Sequence, residues 1–228
     1  MAAPPASPPP KDDSFARQLR GFGPIGVLAM VVIVAAQLLA PLSAVLALVW
    51  AARSRTPWSE IGYGRPRHWV GSALVGIGLG VVFKLVMKAL VMPLLGADPI
   101  NQGYRHLTGN WGAVAAFIPV LVVQAAWGEE TFFRGYLFER LGKAIGRGRI
   151  ATFFTVLVTA GFFGALHYLG QGPSGAQQAT IVGLIAGAWY AHTRRIWMLS
   201  WAHLAFDLTA LALIAWGLEA RVAGFIFH

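Results

Sequence analysis

Long uncharged runs dominate the chain and leave it few ways to fold. They cover, roughly, residues 22–50, 69–95, 111 through the pair Glu129–Glu130, 150–169, 176–190 and 196–216. Most reach the length of about 20 residues that crosses the hydrocarbon core of a bilayer. In lipid, backbone N–H and C=O groups have no water to bond, so segments of this length satisfy themselves as α-helices. The expected fold is therefore all-α: a polytopic transmembrane helical bundle of about six spans. Composition agrees, with 57% hydrophobic and 12% charged residues and a mean hydropathy of +0.61, where a soluble domain carries about 25% charged residues. Trp50, Trp69, Trp111, Trp189, Tyr190, Trp197 and Trp216 stand near the run ends, as an interfacial aromatic belt requires. The fifth run is short and glycine-rich, and Gly183 with Gly187 forms a GxxxG suited to close helix packing.

The opening "MAAPPASPPPKDDS" is rich in Pro, Ala and Ser and cannot bury a core. Residues 1–20 read as a disordered tail ending in a short amphipathic helix, with Phe15, Leu19 and Phe22 on one side, and residues 21–228 as one transmembrane domain. The tail is not a secretory signal, because its prolines and Asp12–Asp13 precede an apolar run that is too long. The absence of cysteine excludes disulfides, thiolate catalysis and Cys-based metal sites. The net charge of +9 comes from arginines and lysines in short loops rather than from a basic domain, which speaks against nucleic-acid binding. Arg53, Arg55, Arg65 and Arg67 follow the first run; Arg140, Lys143, Arg147 and Arg149 follow the third; Arg194 and Arg195 follow the fifth. This bias places those loops in the cytoplasm and both termini outside, with Lys11, Arg17 and Arg20 of the tail arguing the other way.

Acids are scarce, nine in all, and Glu129, Glu130 and Asp207 lie within or against apolar runs. His167 in "FFGALHYL" and His203 in "SWAHLAFD" do the same. Ionisable groups at membrane depth are expensive, so they pair with one another and mark function. Taken as helices rising about 1.5 Å per residue, the runs can bring all five near mid-membrane. Glu130 and Arg134 are four apart, so the arginine can neutralise a carboxylate; His203 and Asp207 are also four apart. Phe163, four before His167, can pack on the imidazole. Lys84 and Lys88 share a helical face, and snorkelling or lining a wet cavity is the preferred reading over contact with an anionic group. His68, His106, His192, His228, Glu60, Asp98, Glu139 and Glu219 fall in loops or near the end and read as solvated. No GxSxG, Walker loop or HExxH occurs.

In order along the chain, "EETFFR", "FGALH" and "HLAFD" resemble the EExxxR, FxxxH and HxxxN/D series of the CAAX protease and bacteriocin-processing (Abi) family of intramembrane endopeptidases, which includes the type II CAAX prenyl protease. The resemblance covers roughly residues 111–215. It implies that Glu129 acts as general base on a water, assisted by His167. It also implies that His203 and Asp207 stabilise an oxyanion or help hold a metal. Glu130 and Arg134 would support these groups, and Phe163 would shape the pocket. Peptide hydrolysis needs an activated water and a stabilised negative charge, so the residue types fit the chemistry. Two histidines and a carboxylate (His167, His203 and Glu129) could form a zinc site with one open position, and a metal-free mechanism suits the same residues. Where the family often has asparagine this chain has Asp207, and an ionised aspartate cannot donate to an oxyanion.

The expectation is an endopeptidase of a prokaryotic inner membrane, multi-pass, cutting a peptide or a membrane-protein tail beside the lipid bilayer. Two alternatives stand against it. A proton- or ion-coupled transporter would use the same charges as a relay but predicts inverted repeats. A catalytically silent, bacteriocin-immunity-type membrane protein would keep the fold alone.

Overall fold

The computed structural model describes residues 14–39 and 41–227; the reading of residues 1–13 as a tail, and His228, lie outside them. Among the described residues there are helices and no strand, an all-α bundle. We number the helices α1 (Ser14–Arg20), α2 (Pro24–Leu39), α3 (Leu42–Arg53), α4 (Trp69–Leu94), α5 (Trp111–Ile145), α6 (Arg149–Thr193), α7 (Trp197–Ala215) and α8 (Glu219–Ala223). Four of these, α4 to α7, are long and apolar enough to cross a membrane, and up to five if α1 and α2, bent by 54°, count as one. Several apolar crossings make this an integral multi-pass membrane protein.

Two long runs turn back on themselves. The first, at residues 22–50, does not pass straight through: α2 and α3 meet at Pro41, and the chain returns to where it started. Arg20 donates to the Arg55 carbonyl at 2.9 Å and Trp50 Nε1 to the Leu19 carbonyl at 3.0 Å, closing the base of the hairpin. At its tip Ser43 Oγ donates to Gln37 Oε1 at 2.5 Å, burying both polar groups against each other. The second turn lies in α6, which breaks at Gly172 (φ 65°, ψ −163°) ahead of Pro173. The halves 149–171 and 173–193 lie antiparallel: Gly164 abuts Thr180, Gly183 abuts Ala160 and Gly187 abuts Val156. The Gly183–Gly187 pair thus packs one half of α6 on the other.

α4 and α7 run side by side in the same direction. A Cβ at Gly80 would collide with the Ala202 carbonyl, and one at Gly76 would sit 2.6 Å from the Met198 carbonyl. α5 is wide over Leu121–Leu137, where it forms a π-helix, a geometry associated with functional sites. That wide stretch carries Phe132, Phe133 and Tyr136 into a core with Ile33, Trp50 and Phe163.

Loop contacts sort the molecule into two faces. Glu60, after α3, pairs with Lys143 and Arg147, both at 3.4 Å. Burial alone would raise the Glu60 carboxyl, but these cations outweigh it and hold it below its ordinary range. The Gly62 carbonyl accepts Ile196 N–H at 3.1 Å, and the Gly64 carbonyl accepts Trp197 Nε1–H at 3.0 Å. Arg140 Nη1 donates to the Arg20 carbonyl at 2.8 Å. The basic loops after α3, α5 and α6 therefore share one face with α1. On the other face Asn101 N–H reaches Glu219 at 3.1 Å, Gly109 N–H reaches the Ala215 carbonyl at 3.0 Å, and Gly103 lies against Gly170. This corrects the reading that both ends of the domain lie on the face opposite the basic loops. The hairpin brings α1 back beside them, so Arg17 and Arg20 add to their charge instead of opposing it. Glu139 and Glu219 are buried rather than solvated: Glu139 pairs with Lys143 and Arg140, and Glu219 with Lys88 at 2.9 Å.

Candidate active site

Each of the three motifs delivers its side chains from a different helix to one cavity of about 510 Å³. Glu129, Glu130 and Arg134 come from the π-helical part of α5, His167 and Phe163 from the first half of α6, and His203 and Asp207 from α7. Lys84 and Lys88 of α4 complete the wall.

Glu130 is the structural hub of the cluster. Its Oε1 accepts from Arg134 Nη1 at 2.9 Å and from His203 Nδ1 at 2.8 Å, with Glu130 and Arg134 both fully buried. Charge-assisted bonds of this kind are short and strong in a dry interior. With Nδ1 so engaged, the opposite ring nitrogen of His203 is directed at two more carboxylates. Nε2 lies 3.6 Å from Glu129 Oε2 and 3.5 Å from Asp207 Oδ2. Glu129 Oε2 is buried and makes no hydrogen bond to the protein. It is the one carboxylate oxygen of the cluster that faces the cavity without a bonded partner to hold it.

His167 Nδ1 donates to the Phe163 carbonyl at 2.9 Å. A carbonyl only accepts, so Nδ1 carries the hydrogen and Nε2 keeps its lone pair for the cavity. The Phe163 ring lies 4.4 Å from the His167 ring and 6.1 Å from the His203 ring, with the Arg134 guanidinium 5.0 Å above it. One phenyl ring therefore sets the spacing of both imidazoles. Tyr63, from the loop before α4, bonds Thr131 at 2.7 Å, and Thr131 bonds the Trp127 carbonyl at 2.7 Å, bracing the helix beside the glutamates. The sequence reading did not pick out Tyr63 or Thr131, since a hydroxyl pair 68 residues apart leaves no local pattern.

His167, His203 and Glu129 line the same cavity, but among the described residues no group of three or more His, Asp or Glu side chains is disposed to hold a metal ion. His203 is turned to carboxylates on both sides, and no step below runs through a metal.

Fold and site together define a polytopic helical membrane protein with a buried carboxylate–histidine cavity. Residues 110–209 match the family model described as type II CAAX prenyl endopeptidase, Rce1-like. The match begins at Asn110, the N-cap of α5, and ends two residues beyond Asp207, so it spans all three motifs. It bears out the resemblance carried by "EETFFR", "FGALH" and "HLAFD", and it gives a CAAX-protease-type peptide hydrolase as the class. Comparison with the curated proteins and with the solved structures gave no match.

Proposed function

We propose that the protein is an intramembrane endopeptidase in which Glu129 activates the attacking water. The observation that carries this is the buried, unbonded Glu129 Oε2 beside His203 and within the same cavity as His167. Glu129 takes a proton from water, and the hydroxide adds to the peptide carbonyl carbon. His167 Nε2 accepts a hydrogen bond from that water and fixes its approach. Negative charge forming on the carbonyl oxygen is met by His203, whose ring Glu130 and Asp207 hold by Nδ1 and Nε2. This assigns the electrostatic role to a donor, and Asp207 the role of positioning it, which resolves the difficulty of an ionised aspartate facing an oxyanion. The proton held by Glu129 then passes to the amine nitrogen as the C–N bond breaks. Arg134 keeps Glu130 charged-paired and in place.

The test is turnover of a quenched fluorescent peptide ending in a farnesylated CAAX sequence by protein purified in detergent. Glu129→Gln is expected to lower kcat by about 10²–10⁴-fold, the usual contribution of a general base, with the thermal unfolding midpoint unchanged. A Glu129→Gln protein that cleaves at the wild-type rate would remove Glu129 from the chemistry.

A further inference from the structure

The cavity contains a second charged feature that the hydrolytic residues do not use. Lys84 and Lys88 both line it and both are buried, at 7% and 8% exposure, yet their partners differ. Lys88 Nζ pairs with Glu219 at 2.9 Å, and the same Glu219 oxygen also accepts the Asn101 N–H. Lys84 Nζ donates to the neutral amide oxygen of Gln178 at 3.0 Å and lies 4.8 Å from the centre of the Phe206 ring. Among the described residues no ion pair reaches it. Asp207 faces the same cavity, but its near neighbour is His203, at 3.5 Å. A buried ammonium without a counter-ion is costly, and an amide and a ring face offset only part of that cost.

Lys84 also stands at a useful place. α4 and α7 are parallel, with Gly80 against Ala202 and Lys84 against Phe206. Phe206 is three residues beyond His203, so Lys84 lies about 5 Å further along the helix axis, toward the mouth of the cavity. The ammonium has three donors, of which Gln178 takes one. The Gln178 amide N–H₂ is a further donor beside it.

We propose that Lys84, with Gln178, is the subsite for the free C-terminal carboxylate of the peptide, so that the protein cuts bonds a few residues from a chain end. This rests on the hydrolytic reading above, because it takes the scissile carbonyl to lie at Glu129 and His203. An extended peptide advances at most about 3.3–3.6 Å per residue, so a carboxylate anchored at Lys84 leaves only a short piece between anchor and cut. The carboxylate supplies the negative charge that Lys84 lacks, and a peptide ending in an amide cannot.

Two peptides of the same sequence, one ending in carboxylate and one in amide, separate the alternatives. Binding is measured on the Glu129→Gln protein, which needs no turnover, and kcat/KM on the wild type. The carboxylate peptide is expected to bind about tenfold tighter or more, the range for a bond to a charged group. Lys84→Met should abolish that preference through KM rather than kcat, and Lys84→Arg should keep most of it. Equal binding of the two peptides, or binding of neither, overturns the Lys84 proposal. If both are hydrolysed equally by the wild type and spared by Glu129→Gln, the hydrolytic reading stands and the carboxylate subsite falls. A preference that survives Lys84→Met also overturns it.

Discussion

At Arg134 a guanidinium only 2% exposed meets the Glu130 carboxylate at 2.9 Å, and that carboxylate in turn holds His203. Arg134→Ala leaves Glu130 with half of its compensation in a region without water. Removing one partner of a buried pair costs about 3–5 kcal/mol, so the variant should show a large fall in thermal unfolding midpoint in detergent; an unchanged midpoint would mean that the cluster tolerates the bare charge. Much at this scale was legible in the sequence, because charge is so rare in the apolar runs that "EETFFR", "FGALH" and "HLAFD" stand out. What was not legible depended on partners far away in the chain. Glu219 looks like an ordinary loop acid until α4 brings Lys88, 131 residues distant, against it. Glu139 is hidden in the same way, by Arg140 and Lys143 packed around it.

Between elements, the α4–α7 contact controls how accurately His203 and Asp207 are placed. Gly80 has no room for a Cβ against Ala202, whereas a Cβ at Gly78 would meet nothing within 4 Å. Gly80→Val should therefore cost about 1–3 kcal/mol of stability. It should lower turnover further still, because a displacement of about 1 Å at a catalytic group can cost 10²-fold. Gly78→Val, on the open side of the same helix, should leave both near wild type. Equal effects of the two substitutions would show that the close approach does not set the site. At this scale the sequence reading found the runs but not their shapes. The first run carries its own turn signal in Gln37, Pro41 and Ser43, polar or helix-breaking residues within an otherwise apolar stretch, paired across the tip of the hairpin. The π-helical stretch has no such mark. Widening every turn by one residue leaves apolar content unchanged, so neither hydropathy nor spacing reveals it.

For the whole molecule, the loop contacts divide the chain into an arginine-rich face and an arginine-poor one. Since the natural sequence has no cysteine, single-cysteine variants report sidedness without background. Arg65→Cys and Arg195→Cys should react with a membrane-impermeant maleimide from one side, the cytoplasmic one if charge bias orients the chain. Gln102→Cys should react from the other. Labelling of Arg65→Cys and Gln102→Cys from the same side would break the topology described here. The fold class at this scale followed directly from the length of the runs. The placement of the N-terminal helix did not, because it depends on whether one apolar run crosses or returns. The cavity mouth lies among residues 97–107, the turn at Gly172 and Glu219, on the arginine-poor face. Chemistry and positive charge thus meet different compartments. Water, peptide and released fragments exchange on one side, while the opposite side can hold anionic lipid headgroups without crowding the catalyst. For a hydrolase so built, which side of the bilayer presents a tail decides whether it is cut, before its sequence is read at all.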